Sequence, residues 1–424
     1  MRIAIFTLGS RGDVQPYVAL AKAAILKGHS AVICTGKSFQ SFIEGNGVEF
    51  EEATSDLMAM LETEEGKMVF NDASKHPIKT KHYLKDVVNP AYRKTLDDFY
   101  KSAQGADVII YHPKAFGAPD IANFLGIPCI SMPPVPIMYP IEEFPNLAIS
   151  PTRNLGKVIN KLTYKIMDKA EIASIKEVND FREKTLNFPK RKSGEYTFKI
   201  DGREIPIIYP ISPYLFKGVK SWGDKVYLPG FFYLDTGNEV LEEKILEFIN
   251  LGKEPFVISF SSMPLKSPDL FKEKLVKALK ETDNRAIIIA GNSGIAFERE
   301  EEILTIKAAP HSLLFPLAKG IIHHGGVGTM AAALKSGKPQ IIIPFAVDQP
   351  FWANRLYKLG YALKPIKEVE VTTEELISRF KELEKAEVKQ KAQNIKSALS
   401  KENGTENAIK YIVRYCDSYY NKQD

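Results

Sequence analysis

The sequence of 424 residues has little cysteine: only Cys34, Cys129 and Cys416, far apart. That spacing excludes a disulfide framework and a zinc-ligand set, and predicts reduced core thiols in a cytoplasmic protein. Long apolar runs are also missing. The first, Ile3 to Leu8, is broken by Gly9-Ser10-Arg11. It is too short for a signal-peptide core, and no stretch approaches the roughly 18 apolar residues of a membrane-spanning helix. A large charge excess is absent as well. The 57 basic and 52 acidic side chains leave +5, which gives no reason to expect a nucleic-acid partner. Disorder is excluded by a hydrophobic content of 44% against 26% charged residues.

What is present is an alternation of strands and helices. Arg2 to Leu8 reads as a buried strand, Gly9 to Asp13 as a turn, and Gln15 to Lys27 as a helix ending at Gly28. Ala31 to Thr35 completes a βαβ unit, whose strands should be parallel. Strand patterns recur at Val108–Tyr111 and Pro128–Met132, with a helix over Ala118–Leu125 between them. A second set follows: strands at Phe256–Phe260, Arg285–Ala290, Ile321–His324 and Gln340–Pro344, with helices over Asp269–Leu279 and Thr329–Lys335. The expected fold is α/β, with two doubly wound parallel-sheet domains. Their expected limits are residues 1–220 and 241–400, joined by a Gly-rich linker over 221–240. A final helix within 401–424 is expected to cross back to the first domain. Residues 133–151 are rich in proline and carry Met138, Tyr139 and Phe144. A segment of that kind after a strand end shapes a pocket, so Pro133, Met138, Tyr139 and Phe144 are read as an apolar acceptor wall.

The richest stretch is 310–360. A strand ends at His323-His324, Gly325-Gly326-Val327-Gly328 turns the chain, and a helix opens near Thr329. The turn is neither the dinucleotide fingerprint nor a Walker A loop. Glycines there let a ligand approach the backbone, and the free N–H groups with the helix dipole favour a phosphate. His324 can add a hydrogen bond, and Thr329 can cap the helix or donate to an oxygen. After the next strand, Asp348-Gln349 supplies a carboxylate and an amide suited to sugar hydroxyls.

This stretch resembles the donor signature of the family 1 glycosyltransferases, in the branch of sterol and antibiotic glucosyltransferases. That signature is H-H-G-G-x-G-T followed by P-F-x-x-D-Q-x-x-W, filled here by His323–Thr329 and Pro344–Trp352. Gly9-Ser10-Arg11-Gly12-Asp13-Val14-Gln15-Pro16 is similar to the G-S-x-G-D-V-x-P opening of the same branch. The resemblance implies a GT-B fold, with two Rossmann-like domains facing across a cleft. It implies a donor site made by Ser10, Gly12, Ser262, His311, His324, Gly325, Gly326, Gly328, Thr329, Asp348 and Gln349. It also implies an inverting transfer from a nucleotide sugar, UDP-glucose by default, to a hydroxyl of a small lipophilic acceptor such as a sterol, flavonoid, polyketide or lipid. No metal and no resident cofactor are implied. Asp13 is the expected base, with His112 as a possible helper. A free carboxylate with a pKa of about 3.9 is a weak base, so burial should raise it, or proton transfer should come late. Two alternatives stay open: a dTDP-sugar donor, and a catalytically silent partner of another enzyme. Lysine-rich stretches at Lys75–Lys85 and Lys157–Lys169 add weak membrane-surface association as an expected property.

Overall fold

A computed structural model of the chain describes residues 1–72, 75–234, 237, 239–260, 265–291, 293–295 and 302–421. The first sheet is built on β1 (Arg2–Phe6), β2 (Ser30–Gly36), β3 (Glu49–Ala53), β4 (Val108–Tyr111), β5 (Cys129–Ser131), β6 (Ile207–Ile208) and β7 (Val226–Tyr227). Its order is β3-β2-β1-β4-β5-β6-β7, and every pairing is parallel. β1 lies between β2 and β4, placing Ile5 beside both Ile33 and Ile110. Ile3 to Phe6 are buried on both faces, as helices cover both sides of a parallel sheet. The sequence reading omits β3, whose Glu-Phe-Glu-Glu-Ala composition belongs to a half-exposed edge strand. It also omits β6 and β7. β7 extends the first sheet into the stretch 221–240 read as a linker.

The second sheet contains β8 (Phe256–Ser259), β9 (Ala286–Ile289), β10 (Ile303–Ile306), β11 (Gly320–His323) and β12 (Gln340–Ile342). Its order is β10-β9-β8-β11-β12, again all parallel. In both sheets the first strand sits centrally and the chain reverses direction beside it, so ligands are expected at the carboxyl ends of the strands there.

The helices that matter for the site are α1 (Arg11–Leu26), α2 (Ala118–Leu125), α3 (Lys157–Thr163), α4 (Val327–Ser336), α5 (Gln349–Leu359) and α6 (Gly404–Tyr420). α6 returns to the first domain. Ala408, Ile409 and Ile412 join Val14, Val18 and Ala21 in one buried cluster, and Lys27 Nζ pairs with Glu406 Oε1 at 3.0 Å. The two domains meet along an apolar seam. Phe144, Phe216 and Trp222 of the first pack on Phe351 and Trp352 of the second. Arg355 stitches it by donating to the carbonyls of Leu215 (2.6 Å) and Lys217 (3.2 Å). Asp120 of α2, Glu171, Arg182 and Arg191 form a buried ionic cluster that pins the excursion after α3 onto the sheet. Among the described residues, no helix is long and apolar enough to cross a membrane.

Candidate active site

The sequence reading puts Asp13 at the end of the turn Gly9 to Asp13, with the helix starting at Gln15. In the structure α1 starts at Arg11, with Ser10 as its N-cap, so Asp13 lies in the first helical turn. Its carboxylate accepts from the Ser10 N–H (Oδ2, 2.8 Å), satisfying one of the donors a helix start leaves unpaired. Gly9 makes room for this: it has φ +142°, and a Cβ there would sit 2.2 Å from Asp13 Oδ2.

β4 delivers the partner. His112 follows its last residue and brings Nε2 to 3.2 Å from Asp13 Oδ1. Nδ1 of the same ring accepts the Lys114 N–H at 3.1 Å, so the neutral ring carries its proton on Nε2 and donates to Asp13. The ring is buried, which lowers its pKa and keeps it neutral against the opposing pull of Asp13. Lys114 Nζ reaches Asp13 Oδ2 at 3.2 Å. Burial alone would raise the Asp13 pKa. The hydrogen bond from His112, the Lys114 charge and the Ser10 N–H outweigh it and hold the carboxyl well below the usual range. The expectation that burial raises Asp13 is therefore corrected: three donors on an acceptor-only group prevail over desolvation.

Lys114 was not picked out from the sequence. Its only signal is its place in His112-Pro113-Lys114, at the end of a central strand. Replacing Lys114 with Met is expected to raise the Asp13 pKa and so move the acid limb of the kcat/KM profile to higher pH. The folded pKa of Asp13 is depressed, so its stabilising contribution is present above the unfolded value near 3.9 and lost as pH falls. The same variant should therefore denature at a higher pH on acid titration, read by circular dichroism.

Across the cleft, His323 and His324 divide their roles. His323 is fully buried. Its Nδ1 accepts the Gly325 N–H (3.1 Å) and its Nε2 donates to Gln340 Oε1 (2.8 Å), which fixes the start of the glycine turn. His324 lies parallel to Phe345, and its Nδ1 is buried without a hydrogen-bond partner. Burial lowers its pKa, so the ring is neutral at the turn's mouth. Gly325 has φ +91°, and a Cβ there would press on Ile342 at 3.0 Å. At Gly326 a Cβ would sit 2.4 Å from His324 Nε2. Gly326 is the N-cap of α4 and supplies no side-chain bond, and a Cβ at Gly328 would meet open space. Thr329 is buried in the first turn, not at the cap. The result is an uncapped helix N-terminus, suited to an anion, with His324 Nε2 against its first glycine. His311 stacks on Phe315, and its Nε2 meets Ser259 Oγ at 3.3 Å. Burial pushes its pKa down to about 4. Ser262 lies outside the described residues.

Asp348 is the N-cap of α5, and its Oδ2 accepts the Trp352 indole N–H at 2.8 Å. Trp352 is fully buried, so it positions the carboxylate from inside the seam. Burial raises the Asp348 pKa, and the negative charge of Asp13 adds to the effect. Gln349 Oε1 accepts from the N–H groups of Phe345 (2.9 Å) and Ala346 (3.2 Å), leaving its NH₂ as the end available to a ligand.

The acceptor wall needs revision. Met138 and Phe144 are buried in the interdomain seam, Phe144 with its ring 4.8 Å from that of Phe351. Pro133 is buried too, directly after Met132, whose carbonyl accepts from Tyr17 beside His112. The segment bends at residues 134–136 and 138–139, and burial alternates along 136–139. Ile137 and Tyr139 are half-buried, as are Pro134, Val135 and Pro140, with the Tyr139 N–H held by Tyr209 Oη at 2.9 Å. The sequence named the segment but not its phase, which is set by packing against α5.

Two facing parallel-sheet domains with an anion cradle on one and a buffered carboxylate on the other make this a GT-B protein. The solved structures agree. The glycotransferase of kitacinnamycin superposes with a TM-score of 0.71 at 20% identity, over 97% of this chain and 98% of that one. The glycosyltransferase VinC, solved in complex with dTDP, gives 0.67 at 18% identity over 99% and 100%. Residues 3–130 match the glycosyltransferase family 28 N-terminal domain, and residues 273–413 match the erythromycin biosynthesis protein CIII-like C-terminal domain. Among curated relatives, the Arabidopsis thaliana sterol 3-beta-glucosyltransferases UGT80A2 and UGT80B1 are 32% and 31% identical, over 99% and 98% of this chain. The Yarrowia lipolytica sterol 3-beta-glucosyltransferase is 31% identical over 85%. The chain spans 66% and 68% of the length of the two plant relatives and 25% of the yeast one. The chain belongs to the family 1 glycosyltransferases, in the branch that holds the sterol 3-beta-glucosyltransferases.

Proposed function

We propose that this chain moves glucose from UDP-glucose to the hydroxyl of a small lipophilic acceptor, a sterol first among them, in one inverting displacement. The observation that carries this reading is the donor set that holds each carboxylate, His112, Lys114 and the Ser10 N–H on Asp13 and the Trp352 indole on Asp348. The family likeness to sterol 3-beta-glucosyltransferases supports the choice of sugar and acceptor.

In this mechanism the α4 N-terminus and His324 receive the diphosphate, and they stabilise its charge as it leaves. Asp348 and the Gln349 amide orient the sugar. Asp13 accepts the proton of the attacking hydroxyl, and His112 keeps the carboxylate aimed without itself taking the proton. A carboxylate so well stabilised is a weak base for an alcohol. Proton transfer must then come late, after bond formation to the sugar carbon has made the hydroxyl acidic. The reaction is expected to proceed without a metal, because the backbone N–H groups and His324 carry the leaving-group charge.

The test is to incubate the protein with UDP-glucose, EDTA and a panel of sterols, flavonoids and lipids, with mass spectrometry as the readout. A sterol gaining one hexose with release of UDP is the expected result. Product formed only from a dTDP-sugar would overturn the donor, and product formed only on a polar acceptor would overturn the acceptor class.

A further inference from the structure

α3 is built with its polarity reversed. The side of α3 and of the turn after it that faces the protein carries Asn160 and Tyr164, both buried. Asn160 Nδ2 donates to the carbonyl of Glu142 and to Asn154 Oδ1, each at 2.8 Å, and the Tyr164 hydroxyl donates to the carbonyl of Phe144 at 3.3 Å. The outward side carries Val158, Ile159 and Leu162, which are 74%, 54% and 50% exposed. Ile166 continues the stripe one turn later and is also exposed. Apolar residues spaced this way normally face a core, and the core here is already filled by an asparagine and a tyrosine. A contiguous exposed apolar patch of this kind marks an interaction surface.

Its charge selects the partner. Lys157, Lys161 and Lys165 recur every fourth residue beside the stripe, all exposed. Between residues 152 and 170 five basic residues stand against the single acid Asp168. Lysines flanking an exposed aliphatic stripe complement an anionic lipid surface, with the stripe entering the headgroup boundary and the ammonium groups meeting lipid phosphates. A protein partner would need an acidic rim around an apolar groove, and a second copy of this chain would bring two basic stripes together.

We infer that α3 and the turn after it dock this protein on the surface of an anionic bilayer. The anchors of α3, Glu142 and Phe144, belong to the segment 133–151 that leads away from Pro133 beside the Asp13 dyad. Docking there sets the acceptor side of the cleft against the phase in which a lipophilic alcohol dissolves. Vesicle binding needs no sugar donor, so its outcome is separate from that of the proposed reaction.

The experiment is vesicle co-sedimentation of the full chain with phosphatidylcholine alone and with one third phosphatidylglycerol. Two variants accompany it: Val158→Ser with Ile159→Ser and Leu162→Ser, and Lys157→Gln with Lys161→Gln and Lys165→Gln. All six positions are exposed, so both variants should fold, as checked by thermal melts. The wild type should pellet with the anionic vesicles and be released by half-molar salt, and each variant should bind about tenfold more weakly or worse. No binding by the folded wild type would overturn the inference, as would variants that bind as tightly as the wild type. A concentration-dependent dimer abolished by the serine variant, without vesicle binding, would assign the face to a second copy instead.

Discussion

Asp13→Asn is expected to lower kcat by about 10²–10⁴-fold, the range typical for removing a positioned general base. The donor KM should change little, because Asp13 lies on the acceptor side of the cleft. The fold should survive, since an amide oxygen at this position still accepts the Ser10 N–H that starts α1. The loss should exceed that of His112→Ala. His112 spends both ring nitrogens on holding Asp13 and the Lys114 backbone, and it acts through the carboxylate. Steady-state kinetics of the two variants with one acceptor checks this order. An Asp13→Asn enzyme as active as wild type would assign proton removal to another group.

Gly326→Ala is expected to raise the donor KM by about 10–100-fold, equivalent to about 1.4–2.8 kcal/mol of binding. The backbone at Gly326 has φ −63° and ψ 142°, which alanine adopts freely. The obstacle is the added Cβ, 2.4 Å from His324 Nε2, which must push the imidazole out of the mouth of α4. Stability should fall by no more than about 1 kcal/mol, the scale of a cap exchange. Isothermal titration with UDP and a thermal melt separate the two effects. His324→Ala should reproduce the affinity loss. A Gly326→Ala protein that binds UDP normally would remove His324 from the donor site.

The two motifs made much of this site legible because each residue is tied to a local backbone event. The glycine turn, the strand end at His324 and the loop carrying Asp348-Gln349 all lie within forty residues of sequence, and their order alone implies proximity. What stayed hidden depends on contacts distant in sequence. Lys114 acquires its role only when β4 is laid beside β1, about a hundred residues earlier. The pKa of Asp13 depends on that same pairing, so burial has the expected sign but is outweighed by donors the sequence did not place there. The apolar spacing places the helix start at Gln15, whereas Ser10 and Asp13 together cap a helix that begins at Arg11. Met138 and Phe144 have the composition of an acceptor wall, and they are diverted into the seam by Phe351 and Trp352 of the other domain. β3 was missed because its glutamates describe the strand at the sheet edge and not a buried one.

The most direct test of a single displacement driven from Asp13 is the anomeric configuration of the product, read by proton NMR on the purified glucoside. UDP-glucose is α-linked, and attack from the face opposite the diphosphate gives a β-glucoside. A β product, formed in EDTA and abolished by Asp13→Asn, is the predicted result. An α product would mean retention, and would contradict direct attack by a hydroxyl that Asp13 deprotonates.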